Sequence, residues 1–178
     1  MTAAEERGHV LATRDDQVVY FQLVGLNNLN NCTPFEAYSI EMQASGYRKF
    51  VLDFSACRGV DSTFVGLLLE LARGRDFGRA CEVIIINPRD TVLRSLREVG
   101  VDRILTVLGN PVAVPGLPLQ RLDAPQPSPR ERARTSLRAH ESLCRFDPSN
   151  LERFGQFLSM LRAERDRVCG PALTGDAS

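Results

Sequence analysis

The stretch from Lys49 to Gly78, KFVLDFSACRGVDSTFVGLLLELARGRDFG, constrains the fold more than any other part of the chain. It reads as a buried strand, a tight turn and a buried helix. Phe50 to Phe54 is strand-forming and interrupted only by Asp53, and Arg58-Gly59 makes the turn. The spacing then predicts a helix from about Ser62 to Arg75. Phe64, Leu67, Leu68 and Leu71 line one face, and Val65, Leu69 and Ala72 widen the apolar stripe well past a third of the circumference. A helix this apolar is packed between other elements and does not lie on a surface. Asp61, Ser62 and Thr63 stand at its start. Such residues cap helices by accepting hydrogen bonds from free backbone N–H groups, and on that preference alone capping is the stronger reading. The competing reading is a hydroxyl presented for phosphorylation.

The rest of the chain arranges itself around this segment. His9 to Arg14 and Val18 to Val24 are β-rich and separated by the polar Asp15, Asp16 and Gln17, which predicts a hairpin. Gly25 closes the second run, and Leu26 to Asn31 (LNNLNN) is a loop. Thr33-Pro34-Phe35-Glu36 has the grammar of a capping box, opening a helix with Phe35, Tyr38 and Met42 on one face and Gly46 as its stop. Val83 to Ile86 reads as a central strand. A helix with Val92, Leu93, Leu96 and Val99 on one side follows, then a short strand within Ile104 to Leu108. Alternating strands and helices predict an α/β domain over 1–108, with a mixed sheet of about five strands, an N-terminal hairpin and packed helices.

Pro111, Pro115, Pro118, Pro125, Pro127 and Pro129 then change the character of the chain. Residues 109–128 read as a linker or extended arm, with an edge strand within Leu117 to Leu122. Ser128-Pro129-Arg130-Glu131 repeats the capping-box pattern, and a second helix starts near Asp147-Pro148 with Leu151, Phe154, Leu158 and Leu161 in a stripe. This pair, over 129–169, is read as a helical hairpin, and 170–178 as a disordered tail.

Composition excludes several function classes. The formal net charge is zero and Lys49 is the only lysine, so no global field points to nucleic acid or an anionic membrane. No apolar run reaches the length of a membrane span, and the start of the sequence lacks the pattern of a signal peptide. Cys32, Cys57, Cys81, Cys144 and Cys169 show no metal-ligand spacing and read as isolated buried thiols in a reducing cytoplasm. The two histidines, His9 and His140, sit at opposite ends of the chain. There is no GxSxG elbow, P-loop or GxGxxG turn. No enzyme, cofactor or metal is expected.

The segment LDFSACRGVDSTFVGLLLELAR, in this element order, resembles the signature of STAS domains, the fold of bacterial anti-sigma factor antagonists. Asp53 matches the family's strand aspartate, Asp61, Ser62 and Thr63 its turn, and Gly66 its second glycine. The resemblance extends over roughly Gly8 to Leu108, including Gly25 and the Asn-rich loop. It implies a protein that binds partners and is not an enzyme, acting in transcription regulation. Ser62 would be the phosphoacceptor, with Thr63 as the alternative. An anti-sigma factor that is itself a kinase would be the partner, and a phosphatase would reverse the mark. Asp61, Ser62, Thr63, Phe64, Asn27 and Asn28 would meet the partner, while Gly25, Asp53 and Gly66 would be structural. The family's first glycine after the hydroxyl pair is replaced by Phe64, which either fills the core or serves as an exposed anchor. Two other readings stand beside this one: a constitutive scaffold that binds or self-associates through its C-terminal helices, and a small-molecule sensor, for which nothing in the sequence marks a pocket.

Overall fold

The computed structural model describes residues 8–169 apart from 115 and 117; the predicted disordered tail lies outside the described residues. Strands β1 (His9–Arg14) and β2 (Val18–Asn27) form the expected hairpin. Its turn is held by Asp15 Oδ1, which accepts the N–H groups of Gln17 and Val18 at 2.9 and 2.7 Å. There follow α1 (Thr33–Ala44), β3 (Lys49–Asp53), β4 (Cys57–Val60), α2 (Ser62–Ala72), β5 (Glu82–Ile86), α3 (Asp90–Glu98), β6 (Thr106–Val107) and β7 (Gln120–Arg121). Two long helices, α4 (Pro129–Phe146) and α5 (Asn150–Cys169), end the described chain.

The mixed sheet has the strand order β6-β5-β3-β2-β1-β7, with β4 pairing to the far end of β2. β2, β3, β5 and β6 run parallel, and β1 is antiparallel to both its neighbours. This is the anticipated mixed α/β sheet, enlarged to seven strands. One addition is β7, the edge strand foreseen in the Pro-rich arm. The other is β4, which occupies the segment read as a plain turn. Gly25 makes β4 possible: at φ +69° it sits where side chains are strained, and the β2–β4 register shifts between Gly25 and Leu26. Its N–H donates to Ala56 O at 3.0 Å.

Alternation along the strands sends Val10, Ala12, Val19, Phe21, Leu23, Phe50, Leu52, Val83 and Ile85 into the core. A chain of rings links sheet to helices. Phe21 lies 6.4 Å from Phe50 and 4.9 Å from Phe35 on α1, and Phe35 lies 4.9 Å from Phe64 on α2. Every residue of α2 from Thr63 to Ala72 is buried. Its apolar girth is explained by two partners, the domain core on one side and α4 on the other.

The helix starts differ from one another in an informative way. α4 has the full capping box: Ser128 Oγ accepts the Glu131 N–H, and Glu131 Oε2 accepts the Ser128 N–H. α1 does not form the box expected at Thr33 and Glu36, because Thr33 is already its first helical residue and Cys32 is the cap. The Glu36 carboxylate is instead drawn away by two arginines, Arg75 and Arg138.

Candidate functional site

The site is built where β4 hands over to α2. Asp61 is the N-cap: its Oδ1 accepts the Phe64 N–H at 2.8 Å, and its Oδ2 accepts the Leu29 N–H at 3.0 Å. One carboxylate thus caps the helix and ties the Asn-rich loop to it. The Asp61 N–H also donates to Asn27 O at 3.1 Å. The loop is braced internally, since Asn31 Oδ1 accepts the Asn28 N–H and Asn28 Oδ1 accepts the Asn30 N–H.

With Asp61 as the cap, the Ser62 side chain is used elsewhere. Half-buried Ser62 Oγ lies 2.8 Å from His140 Nε2 on α4. The direction of this bond follows from the other ring nitrogen. Nδ1 sits 2.7 Å from Ser136 O, a carbonyl that can only accept, so Nδ1 carries the proton. Burial pushes the His140 pKa below its ordinary value, outweighing the upward pulls of the Ser136 carbonyl and the Asp61 charge. The ring is therefore neutral, Nε2 offers a lone pair, and the Ser62 hydroxyl donates to it. The imidazole is 2% exposed, with Phe154 and Phe157 edge-on at 4.8 and 4.9 Å. A base so enclosed has no room to meet a substrate, so the Ser–His pair is a structural contact between helices.

The seam continues along α2. A Cβ on Gly66 would stand 2.7 Å from Ala139 Cβ and 2.8 Å from Ala139 O, so this glycine is what lets the two helices approach. Further along, Glu70, the single charged residue of α2, is 7% exposed and accepts from Arg138 Nε at 3.2 and 3.1 Å and from Ser142 Oγ at 2.8 Å. Three successive turns of α2 thus meet α4 through a hydroxyl, a glycine and a carboxylate.

Asp53 serves the scaffold. Burial pushes its carboxyl pKa up, but hydrogen bonds from Asn87, Ser55 and Gln22 together outweigh that and hold it below the usual range. Asn87 also exchanges two hydrogen bonds with the Val112 backbone, fastening the arm to the end of β5.

Of the six residues expected to meet a partner, three lie inside. Asn27 is 1% exposed, Thr63 3% and Phe64 0%, so in this conformation they offer no side-chain surface. Phe64 packs on Phe35, which settles its two readings in favour of core filling. Asp61, Ser62 and Asn28 remain at least partly accessible. His140, Ala139 and Glu70 escaped the sequence reading. The signals were present: His140 falls on the apolar stripe of α4, between Ser136 or Leu137 and Leu143 or Cys144, and a lone carboxylate in an apolar helix calls for a cation.

On the opposite face of the sheet the arm roofs an apolar cavity of about 260 Å3, lined by Tyr20, Val51, Ile84, Ile86, Val112 and Leu119 among others. Among the described residues no helix is long and apolar enough to cross a membrane.

The family model described as "Mlab, STAS domain" matches residues 10–108, more than half of the chain. No curated protein sequence matches. Solved structures do. An anti-sigma factor antagonist from Mycobacterium paratuberculosis is 16% identical, aligned over 61% of this chain and 92% of its own, with a TM-score of 0.51. A candidate anti-sigma factor antagonist from Thermotoga maritima is 22% identical over 54% of this chain and 82% of its own, at a TM-score of 0.48. The anti-sigma factor antagonist SpoIIAA in its unphosphorylated form is 20% identical over 56% and 86%, at 0.46. At these identities the Mycobacterium structure speaks for the fold alone.

Proposed function

We propose that this chain, which belongs to the STAS domain family, is a non-enzymatic cytoplasmic regulator that binds a protein partner and is switched by phosphorylation at Ser62. The partner class is an anti-sigma factor kinase, as for an anti-sigma factor antagonist, with a phosphatase restoring the hydroxyl. In the same reading 1–108 is the STAS domain, 109–128 an arm and 129–169 an added helical unit. Asp61, Ser62 and Asn28 form the contact surface.

One observation carries this reading: Asp61 alone caps α2, so the Ser62 hydroxyl has no duty to the backbone of its own helix. The capping explanation for the serine is thereby spent on its neighbour. A phosphate there would sit at a helix N-terminus, where the dipole and free N–H groups favour negative charge. Beside the Asp61 carboxylate it would oppose a partner by like charge and by bulk. Thr63 is the weaker acceptor because it is buried.

The test is incubation of the full chain with candidate anti-sigma kinases and ATP, followed by mapping of the modified residue. Phosphate at Ser62, lost in Ser62→Ala, supports the switch. A partner that binds stably while Ser62 stays unmodified overturns it in favour of a constitutive scaffold. That second reading draws on a specific observation, the occupation of the Ser62 hydroxyl by His140.

A further inference from the structure

A kinase must reach a hydroxyl that here donates into a seam between two helices. We infer that the α4–α5 hairpin is a latch on the Ser62 face, seated while Ser62 carries a free hydroxyl and released when that oxygen carries a phosphate. The inference rests on the reading of Ser62 as phosphoacceptor.

Proton accounting comes first. The Ser62 hydroxyl gives its proton to His140 Nε2, and Nδ1 is committed to Ser136 O at 2.7 Å. Phosphoryl transfer from a nucleoside triphosphate forms the Oγ–P bond, breaks the bond between the γ-phosphorus and the leaving nucleoside diphosphate, and releases the hydroxyl proton to solvent. The oxygen that donated then has nothing to donate, and the new phosphate oxygens are acceptors facing a lone pair. The dianionic phosphate could be paired by a second proton on His140, which its enclosure by Phe154 and Phe157 opposes, or by a tautomer shift that gives up the bond from Nδ1 to Ser136 O.

Space comes second. The Oγ–Nε2 separation of 2.8 Å leaves no room for a phosphoryl group. The seam cannot yield locally, because Ala139 already stands where a Cβ on Gly66 would clash. Held in the seam, the phosphate must lift α4 or stay buried beside a neutral ring, which is strongly disfavoured for an ion; turned toward the solvent that reaches half-buried Ser62, it gives up the bond to His140 and leaves Nε2 without a donor.

The hairpin is also built to move as a unit. Its first helix carries its own capping box at Ser128 and Glu131. Its two helices are joined by Asn150 Nδ2 donating to Leu143 O at 3.1 Å and by Arg162 pairing with Glu141 at 3.0 Å, and release gives up the second bond of the Asn150 amide, to Val99 O at 3.2 Å. Upstream, the Leu122 N–H donates to Val10 O at 2.9 Å, holding the arm to β1. Between these anchors run Asp123 to Pro127, where Pro125 and Pro127 have no N–H to contribute. Much of the seam beyond the apolar contacts is polar: Arg138 and Ser142 on Glu70, Arg153 on Glu98 and Arg103 on Asp147. These groups regain water on release.

The experiment is hydrogen exchange of the full chain with phosphoserine incorporated directly at position 62, against the unmodified chain. Peptides across 129–169 are expected to exchange at least about tenfold faster, while β3 and β5 keep their protection. Unchanged protection in 129–169, or loss of protection in the sheet as well, overturns the latch. No kinase is used, so that failure is separate from failure of Ser62 to be phosphorylated in the kinase assay. His140→Gln carrying the same phosphoserine should retain more protection than the wild-type phosphoprotein, because the amide can turn an N–H toward the phosphate. Equal release in both overturns the role given to His140.

Discussion

The two ends of α2 meet the same helix by opposite means. At its start, Ser62 reaches α4 through one neutral hydrogen bond to His140. Near its end, Glu70 takes Arg138 on both carboxylate oxygens and Ser142 on one, with Arg75 Nη1 3.8 Å away. Glu36 shares both arginines, pairing with Arg75 at 2.6 Å and with Arg138. The charged end is redundant, because losing one partner leaves others. The neutral end hangs on a single proton. The difference teaches which end can be a switch: a modification that replaces the donated proton with charge and bulk is decisive only where no second partner can answer it.

The largest effect should come from the clamp. Arg138→Ala leaves Glu70 and Glu36 buried with fewer donors, and should cost about 3 kcal/mol of stability in urea unfolding. The figure belongs at the low end for a broken buried pair because Arg75 still serves both carboxylates. A loss below a few tenths of a kcal/mol would show that the two ends do not differ as described. Midway between them, Gly66→Ala forces a methyl against Ala139 and should cost about 2 kcal/mol by overpacking. Its exchange signature should be confined to α2, α4 and α5, which separates helix parting from general loss of the core.

The clamp and the switch were not equally legible in the sequence. The strand–turn–helix unit around Asp61 was readable because its signals are local: an apolar run, a turn and a cap. The helical hairpin was readable for the same reason, its capping box lying within four residues. What could not be read was docking. Ser62 and His140 are separated by 78 positions and Glu70 and Arg138 by 68, and no local pattern dictates such pairings. β4 was hidden because Arg58 and Gly59 look like a turn, and the strand exists only through its pairing with the end of β2. The box expected at Thr33 failed because the helix starts one residue early, with Cys32 at the cap, and Glu36 pairs with Arg75 and Arg138. The local preference lost there is worth only about 1 kcal/mol.

Acid should act on the neutral end. His140 titrates below its ordinary 6.5 in the folded chain, so the unfolded chain binds its proton first as pH falls. Stability from this group is complete above about pH 6.5 and is lost from there down to the folded value, with a slope of at most about 1.4 kcal/mol per pH unit. The Asp61 charge narrows the window by favouring the imidazolium. Unfolding measured between pH 7.5 and pH 5 should show this loss in the wild type and lack it in His140→Gln. A loss of the same size in that variant would assign the effect to other groups.

The smallest effect belongs to Ser62→Ala, and its smallness matters to the argument. The substitution removes one hydrogen bond and leaves His140 Nε2 without its donor, at a cost of about 1 kcal/mol. Ala is a good helix former and Asp61 remains as the cap, so α2 itself should not suffer. The variant should therefore stay folded with α4 seated, held by the Glu70 clamp, while losing any site for phosphate at position 62. Ser62→Asp lengthens the side chain and places a carboxylate against the His140 lone pair. Its hairpin should loosen more than that of Ser62→Ala by hydrogen exchange, in the direction of the phosphoserine protein and to a smaller extent, because a carboxylate carries less charge and less bulk than a phosphate. If Ser62→Ala loosened the hairpin as much as Ser62→Asp, the lost hydrogen bond and not the added charge would set the latch, and the single proton between Ser62 and His140 would count for more than the clamp at the other end.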